Sequence, residues 1–454
     1  MNMKKLMIVA LSLGLLGGSL FLLATARHEI ILDKSDVGVG KLSLRTEEPF
    51  TVPEYEATIS DLKEPLTIIG PAAKIIDIAI QKPLAKPPDI VKAIYATSWS
   101  VSSANRMKYF SNLIETTELN AIVIDIKDFS GYVAYDSELD LVRRYGAEQI
   151  RIPKLNALIK ELHDKNIYVI ARISVFQDPV LAKAWPDLAI KSSSTGAPWQ
   201  DRKGLLWIDP ASQEAWDYNI AIAKEAARRG FDEINFDYVR FPSDGDLEDM
   251  VFPYWDRDIP KSEIIENFFK YLHDELRPAE DDSLRQEGGE AVRVKLSVDL
   301  FGLSTARKDD LGIGQVLENA VHHFNFISPM VYPSHYSPGF LGYDNPAEHP
   351  YEIVRYSAEQ AFKRLLTEAV GSNDQNILGV RNQRLMIALR PWLQDFDLGA
   401  DYDASMVRAQ IQGLYDAWCN VLQGSSASSE DCEPEIGWML WSPSNVYTKE
   451  ALTP

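Results

Sequence analysis

The chain has 454 residues, of which 46% are hydrophobic and 25% charged, so it can form one large domain with an appendage or two to three smaller ones. This composition is typical of a globular protein and excludes wholesale disorder. The formal net charge of −20 disfavours nucleic acid or an anionic lipid surface as a partner, because both repel an acidic protein.

Residues 1–26 have the features of a secretory signal peptide. Met1–Lys5 is basic, Leu6–Ala24 is apolar or small throughout, and Ala24-Thr25-Ala26 fits an A-x-A cleavage pattern. About 19 apolar residues can also nearly span a bilayer, so an uncleaved N-terminal membrane anchor is the alternative. Both interpretations predict an extracytoplasmic location for the rest of the chain, as a secreted, periplasmic or membrane-anchored protein.

Residues 27–88 carry scattered prolines and acidic residues and end in the proline-rich stretch 82–88. They predict an extended N-terminal region and linker. Residues 89–454 then form the main predicted domain.

From residue 89 onward, β-branched or aromatic segments alternate with amphipathic helical segments. The predicted strands are 91–97, 121–127, 168–176, 233–240, 294–300, 326–332, 384–390 and 436–441. The predicted helices are 105–118, 153–165, 211–229, 261–276, 311–323, 350–369 and 403–418. This α/β alternation predicts a parallel sheet, and eight strands over this length predict a (β/α)8 TIM barrel with long βα loops. An open doubly wound sheet is the alternative, but no glycine-rich phosphate turn follows a strand.

The helix 211–229 has the clearest end signals. Asp209 is its predicted N-cap, Pro210 occupies the first position, and Gly230 ends the helix.

The two cysteines, Cys419 and Cys432, flank a polar loop. In an oxidising compartment such a pair predicts a disulfide, and two free thiols are the alternative. No other cysteine and no histidine lies close enough in sequence to complete a metal site with them.

Polar side chains interrupt the predicted strands, mainly near their carboxyl ends, where the active sites of barrels lie. Because strand side chains alternate, Asn235 and Asp237 share one face. A charge that points into a barrel must be paired or functional, since isolated burial is costly. The interrupting residues are Asp125, Lys127, Arg172, Asn235, Asp237, Asp299 and Arg390.

Two carboxylates on adjacent strands are what glycosidic bond cleavage requires. We therefore assign Asp237 as nucleophile or charge stabiliser and Asp299 as acid/base, with Asp125 as a third candidate. Lys127 and Arg172 can hold a neighbouring carboxylate ionised. A structural ring of ion pairs without turnover is the alternative.

Aromatic residues follow the same strand ends, and flat rings with polar edges can stack on sugars. The aromatic residues concerned are Trp99, Trp199, Trp207, Tyr254, Trp255, Tyr332, Tyr336, Trp392 and Trp441. The predicted substrate-binding residues are Lys127, Arg172, Asn235, Tyr238, Arg240, Tyr332, Arg390, Trp392 and Trp441.

Several other chemistries are disfavoured. The chain has no H-E-x-x-H motif, which argues against a zinc hydrolase, and Ser442 has no G-x-S-x-G elbow around it. No cofactor or metal is predicted. The acidic loop 244–249 is interpreted as a solvated face, with a divalent-ion site as the alternative.

Five segments resemble a bacterial family of glycoside-hydrolase-like barrels of unknown function. They are 92–96 (KAIYA), 120–128 (NAIVIDIKD), 236–242 (FDYVRFP), 327–333 (ISPMVYP) and 438–441 (WMLW). The resemblance covers about residues 90–445 and implies a TIM barrel related to α-amylase-like and chitinase-like enzymes. The chitinase pattern D-x-x-D-x-D-x-E fails here because Val239 replaces its glutamate. Amylase-like enzymes have an aspartate nucleophile after the fourth strand, as Asp237 is here, and a glutamate acid after the fifth, where this chain has Asp299.

Two main functions remain open at this point, and other barrel chemistry, such as that of a lyase or a deacetylase, is a further alternative. The first is an O-glycoside hydrolase that acts on an extracytoplasmic poly- or oligosaccharide through its paired aspartates. The alternative is a non-catalytic, glycan-binding barrel of the cell envelope, which the missing glutamate and the anchor-like N-terminus favour. Both predict a carbohydrate partner.

Overall fold

Eight parallel strands close into a barrel in which each strand pairs with the next and the last pairs with the first. The structure is a computed structural model that describes residues 76–277, 294–369, 388–423 and 432–454. The strands are β1 Lys92–Ala96, β2 Ala121–Lys127, β3 Tyr168–Ser174, β4 Glu233–Asp237, β5 Lys295–Phe301, β6 Phe326–Met330, β7 Trp392–Gln394 and β8 Trp438–Trp441. The predicted (β/α)8 barrel is confirmed.

Helices connect the successive strands on the outside of the barrel. They are α1 Ala104–Glu115, α2 Leu155–His163, α3 Gln213–Arg229, α4 Lys261–Leu276, α5 Leu317–Val321, α6 Pro350–Ala369 and α7 Ala404–Gln423. Helix α5 is shorter than the predicted 311–323 because the backbone at Leu311 (φ 54°), Gly312 (φ 70°) and Gly314 (φ 86°) is left-handed and cannot start a right-handed helix. Three further short helices, Ser98–Val101, Asp140–Arg144 and Pro179–Ala184, lie in the βα loops.

The strands are buried on both faces, which explains their apolar sequences. Every residue of β2 and β4 is buried. Alternate residues pack in two separate cores: Ala93, Val123 and Ile170 belong to a small core inside the barrel, whereas Ile94 and Ile122 belong to the larger core beneath the helices. Side chains of the first set therefore determine what lies in the barrel interior.

The seventh strand begins later than predicted. Residues 384–387 lie outside the described part of the chain, and β7 runs from Trp392 to Gln394 instead of over 384–390. Leu389 forms only an isolated bridge with Ile327. Pro391 then separates this bridge from the strand, because proline has no N–H to donate to a sheet.

The predicted N-cap of α3 is wrong. Ser212 caps the helix through its hydroxyl, which accepts a hydrogen bond from Ala215 N at 3.3 Å. Asp209 is fully buried, and its carboxylate accepts hydrogen bonds from Tyr254 N (2.7 Å) and Trp255 N (2.9 Å) in a distant loop. Asp209 therefore fastens two loops together.

The described end of the N-terminal region lies against the barrel without regular secondary structure. Asp77 accepts hydrogen bonds from Asn156 N (2.6 Å) at the start of α2, and Leu84 N donates to Asp232 (2.6 Å) just before β4. Gly230 ends α3 as predicted, with φ 102°, and a Cβ there would lie 2.6 Å from the carbonyl oxygen of Gln81. The close approach of this segment therefore requires glycine at position 230.

The remaining predictions concern the disulfide and the N-terminus. Cys419 in α7 forms a disulfide with Cys432, with the Cα atoms 6.0 Å apart. The predicted signal or anchor, residues 1–26, lies outside the described residues, as does 27–75 of the extended region. Of the helices in the described ranges, none has the length and apolar character needed to cross a membrane.

Candidate active site

Four ionisable side chains project into the barrel from neighbouring strands near their carboxyl ends. Asp125 of β2 is in register with Arg172 of β3. Asp237 is the last residue of β4, and Asp299 lies in β5. Because the side chains of a strand alternate, all four fall on the interior face. We call Asp125, Arg172, Asp237 and Asp299 the mouth cluster.

Arg172 lies between the three carboxylates. Its Nη1 contacts Asp125 Oδ1 at 2.6 Å, its Nη2 donates to Asp237 Oδ2, and its Nε is 3.6 Å from Asp299 Oδ2. The structure thus brings the three predicted catalytic carboxyl groups together around one guanidinium.

Each carboxylate has a second set of partners that fixes its orientation. Tyr95 OH donates to the free oxygen of Asp125. Asp237 Oδ1 accepts from Tyr238 N at 2.5 Å, and Tyr238 has a left-handed backbone with φ 55°. A non-glycine residue in this conformation is strained, and such strain is common at functional sites.

Asp299 is held by two side chains across the barrel. Its Oδ1 accepts hydrogen bonds from Asn235 Nδ2 at 2.9 Å and from Trp392 Nε1 at 2.8 Å. Trp392 is buried, with 2% of its surface exposed, and its indole N–H donates this hydrogen bond. Asp299 Oδ2 faces Arg172 Nε at 3.6 Å, which is too long for a hydrogen bond.

Burial raises the pKa values of two of these carboxyl groups, those of Asp299 and Asp125. Burial, together with the nearby negative charge of Asp237, raises the pKa of Asp299 to about 7, although Arg172 opposes this shift. Burial also raises the pKa of Asp125, and Arg172 again opposes it. Burial alone would lower the pKa of Arg172, but Asp125 and Asp237 raise it well above its usual value. The cluster therefore combines a permanent cation with a carboxyl group that exchanges its proton near neutral pH.

Three aromatic residues, which we call the aromatic wall, border the mouth cluster on the side of β6, β7 and β8. They are Tyr332, Phe396 and Trp441. The ring of Trp441 lies 5.8 Å from that of Tyr332, 5.0 Å from Phe396 and 6.3 Å from Tyr95, measured between centroids. Tyr332 is buried, while Phe396 and Trp441 are partly exposed. Partly exposed rings beside carboxylates provide a surface on which a sugar can stack.

Arg240 lies on the opposite side, beyond the end of β4. Its guanidinium lies 4.7 Å from the ring of Trp207, 5.5 Å from that of Tyr238 and 4.8 Å from that of Phe301. Arg240 and Tyr238, both predicted to bind substrate, therefore form a second border next to Asp237. Trp207 is buried and packs this border, as the exposed fraction of 1% indicates.

Lys127 is not part of the site, which corrects its prediction as a substrate-binding residue. A β-bulge shifts the register between Asp125 and Lys127, so the two side chains no longer share a face. Lys127 Nζ pairs with Asp178 Oδ2 at 2.8 Å, and neither side chain has any exposed surface. This ion pair attaches the short helix Pro179–Ala184 to the barrel.

Arg390 is also misassigned, because it lies deeper in the barrel than the mouth cluster. Its Nη1 donates to Glu233 Oε2 at 3.0 Å, and its Nη2 donates to the other oxygen. Tyr168 and Ser297 donate to the same carboxylate. Glu233 and Tyr168 are the first residues of their strands, so we call Arg390, Glu233, Tyr168 and Ser297 the floor cluster.

Sequence reasoning missed Tyr95 and Phe396. The alternation of β1 could have identified Tyr95, because it shares the interior face with Ala93. Phe396 follows β7, whose position was predicted wrongly. No group of three His, Cys, Asp or Glu side chains suited to a metal ion occurs among the described residues.

Comparison with known proteins identifies one family and several similar structures. A family model described as "Putative glycosyl hydrolase domain" matches residues 93–447. A hypothetical protein from Ruminiclostridium thermocellum ATCC 27405 has 38% identity, over 48% of this chain and 98% of that protein, with a TM-score of 0.40. No curated protein matches the chain.

Two similar solved structures are glycosidases. An α-galactosidase from Thermus thermophilus has 11% identity, over 81% of this chain and 61% of that one, with a TM-score of 0.41. A chitobiase from Flavobacterium johnsoniae has 11% identity, over 80% and 47% of the two chains, with a TM-score of 0.44. In both cases the match spans less than two thirds of the other protein's length.

Proposed function

Because the chain belongs to the family described as "Putative glycosyl hydrolase domain", we propose that it hydrolyses O-glycosidic bonds with Asp237 and Asp299. One observation carries the proposal. Both carboxyl groups contact the same guanidinium, yet burial gives Asp299 a pKa of about 7. Glycosidases need one ionised carboxylate and one protonated carboxyl group at the scissile bond.

Asp237 acts as the nucleophile or as the anion that stabilises the positive charge at the anomeric carbon. Its Oδ2 accepts a charge-assisted hydrogen bond from Arg172 Nη2. The hydrogen bond from Tyr238 N fixes one carboxylate oxygen and holds the side chain in a single orientation. A fixed anion stabilises developing positive charge better than one that must reorient.

Asp299 acts as the general acid that protonates the leaving oxygen. Its Oδ1 already accepts two hydrogen bonds, so the proton resides on Oδ2, which lies 3.6 Å from Arg172 Nε. A carboxyl group with a pKa near neutrality can donate its proton at physiological pH and regain it afterwards. Asn235 and Trp392 are positioning residues for this group.

Arg172 and the aromatic wall complete the proposed machinery. Asp125, itself bound to Tyr95, holds Arg172 between the two catalytic carboxyl groups. Trp441 and Phe396 supply partly exposed ring faces for stacking on the sugar next to the scissile bond, and the buried Tyr332 packs against Trp441.

We further propose that the substrate is an extracytoplasmic poly- or oligosaccharide. The signal-like residues 1–26 support this, and so does the disulfide between Cys419 and Cys432, because disulfides persist in oxidising compartments.

The second candidate function is a non-catalytic, glycan-binding barrel. It is favoured by the contact of Arg172 with all three carboxyl groups, because an ion-pair network of this kind also occurs where no reaction takes place.

A screen of oligosaccharides with wild type and Asp237→Asn tests the proposal. We expect wild type to release reducing sugar from at least one substrate and Asp237→Asn to lose about 10⁴-fold in kcat. Asp164→Asn is the matched control, because Asp164 is an exposed aspartate on the outer surface whose ion-pair partner among the described residues is Lys160. Equal activity in wild type and Asp237→Asn would rule out the assignment, and glycan binding without release of reducing ends would favour the second candidate.

A further inference from the structure

Arg240 differs from the other buried arginines of the described residues because it has no carboxylate partner. Its exposed fraction is 5%. Its Nη1 donates to the carbonyl oxygen of Phe241 at 3.1 Å and to Ser243 Oγ at 3.2 Å, and within the described ranges Nε and Nη2 make no hydrogen bond. The other buried arginines, and Arg172 with 13% of its side chain exposed, all have carboxylate partners: Arg151 (Asp128), Arg172 (the mouth cluster), Arg229 (Glu225), Arg364 (Glu318) and Arg390 (Glu233).

A buried cation without an anionic partner is costly, and proteins rarely retain one without a use for it. Three aromatic rings, those of Trp207, Tyr238 and Phe301, surround the guanidinium and hold it in place. Ring faces offset part of the cost, because they attract a cation, but they do not satisfy its N–H groups. The geometry therefore leaves a fixed guanidinium with donors available to a ligand.

The position of Arg240 connects it to the proposed active site. Arg240 follows Asp237 by three residues, and Phe301 follows Asp299 by two, so the guanidinium lies at the ends of the two strands that carry the catalytic carboxyl groups. The negative charges of Asp237, Asp244 and Asp201 act on Arg240 through space, but none of them is in ion-pair contact with it. A sugar bound at Asp237 can therefore place a substituent against Arg240.

We propose that the site binds an acidic sugar, and that the carboxylate of a uronic acid residue pairs with Arg240. This inference rests on the proposed function, since it names the substrate class of the same site. A guanidinium binds a carboxylate through two parallel hydrogen bonds, a geometry that a neutral hydroxymethyl group cannot match. The net charge of −20 opposes the approach of an anion, so the affinity has to arise locally at Arg240.

The test compares pairs of sugars that differ only in this group. We would titrate the full chain with methyl glucuronide and methyl glucoside, and with methyl galacturonide and methyl galactoside, by calorimetry. We expect the acidic member of at least one pair to bind ten- to a hundredfold more tightly to wild type, as expected for a charge-assisted hydrogen bond. Arg240→Met should abolish the preference and Arg240→Lys should retain part of it.

Arg257→Met is the matched control, because Arg257 is an exposed arginine whose guanidinium also lies against aromatic rings, those of Phe252 and Trp255. It should leave the preference unchanged. If Arg240→Met does not fold, the preference of wild type and its reduction in Arg240→Lys decide the matter. Three results would overturn the inference. Wild type could bind acidic and neutral sugars equally, it could bind neither, or the preference for acidic sugars could persist in both Arg240 variants.

These outcomes are separable from those of the hydrolase proposal. Hydrolysis of neutral glycosides without any preference for acidic sugars would refute only the acidic-sugar inference. Binding of uronic acids through Arg240 without hydrolysis of any glycoside would refute only the hydrolase.

Discussion

Two arginine–carboxylate clusters occupy the same barrel interior, and they differ in charge balance and in exposure. In the floor cluster Arg390 faces one carboxylate, Glu233, and both side chains are at most 1% exposed. In the mouth cluster one guanidinium faces three carboxyl groups, and 13% of the Arg172 side chain is exposed. The floor cluster is neutral and sealed, whereas the mouth cluster has an excess of acid and contacts solvent.

The difference is the one expected between a structural ion pair and the proposed active site. Tyr168 and Ser297 donate hydrogen bonds to Glu233, so the floor cluster is balanced in charge and its carboxylate is well supplied with donors. In the mouth cluster burial, and after it the negative charge of Asp237, raises the cost of ionising Asp299, as its pKa of about 7 reflects. Unbalanced charge of this kind is expensive to maintain and occurs mainly at functional sites.

The largest expected effect is on the free energy of unfolding, and it arises from a change in the floor cluster. Arg390→Met should lower the free energy of unfolding by about 3–5 kcal/mol, because it leaves Glu233 charged, buried and unpaired. Urea denaturation followed by circular dichroism measures this. The double variant Glu233→Gln/Arg390→Met should regain most of the loss. A cost below about 1 kcal/mol for Arg390→Met would contradict the structural role assigned to this pair.

The next effect concerns catalysis at the mouth cluster. Asp299→Asn should lower kcat by at least about 10²-fold on glycosides with poor leaving groups, because an amide cannot donate the proton they need. Aryl glycosides with acidic leaving groups should be affected much less. Steady-state kinetics on both substrate types provide the measurement, and an equal loss on both would exclude Asp299 as the general acid.

The third effect is the pH dependence of activity. Asp299 must be protonated to act as an acid, and burial raises its pKa to about 7, so kcat/KM should fall about tenfold per pH unit above neutrality. A pH profile between 5 and 9 on a substrate with a poor leaving group tests this. The residual activity of Asp299→Asn should lack this alkaline limb, and its persistence in that variant would assign the limb to another group.

The smallest effect is on how stability changes with pH. Between its unfolded pKa of 3.8 and its folded pKa of about 7, Asp299 keeps a proton in the folded state that the unfolded chain has lost. Its contribution to stability is therefore complete below the lower value and decreases as the pH rises towards 7. Asp299→Asn has no such proton to lose, so its stability relative to wild type should rise between pH 4 and pH 8, by at most about 1.4 kcal/mol per pH unit.

Urea denaturation at both pH values measures this difference, and the exposed control Asp164→Asn should not show it. A stability difference between Asp299→Asn and wild type that stays constant from pH 4 to pH 8 would argue against a raised pKa for Asp299 in the folded protein.

The sequence predicted the barrel well because its strands are continuous apolar segments between clear helices. It also placed Asp125, Arg172, Asp237 and Asp299 together, since alternation along a strand and the common edge of parallel strands are enough to do so. The prediction that these four side chains lie together required no information about the loops.

The predictions from sequence were wrong where a local feature interrupts the alternation of side chains along a strand. Lys127 stands two residues after Asp125, but the β-bulge between them turns it towards Asp178. Arg390 was taken for the end of a strand, whereas the strand begins after Pro391 and the arginine points to the floor. The position of a β-bulge and the identity of the partner of a buried charge both depend on residues that are distant in sequence. The sequence of the strand itself therefore does not specify them.

The segment that precedes β1 bears on how the barrel should be produced for these experiments. Its residues from 76 onward attach to α2 through Asp77 and to the start of β4 through Leu84. A recombinant fragment that starts at residue 89 would leave the first turn of α2 without its acceptor and Asp232 without one donor. Such capping contacts contribute about 1 kcal/mol each, so the shortest version worth expressing starts at or before residue 76.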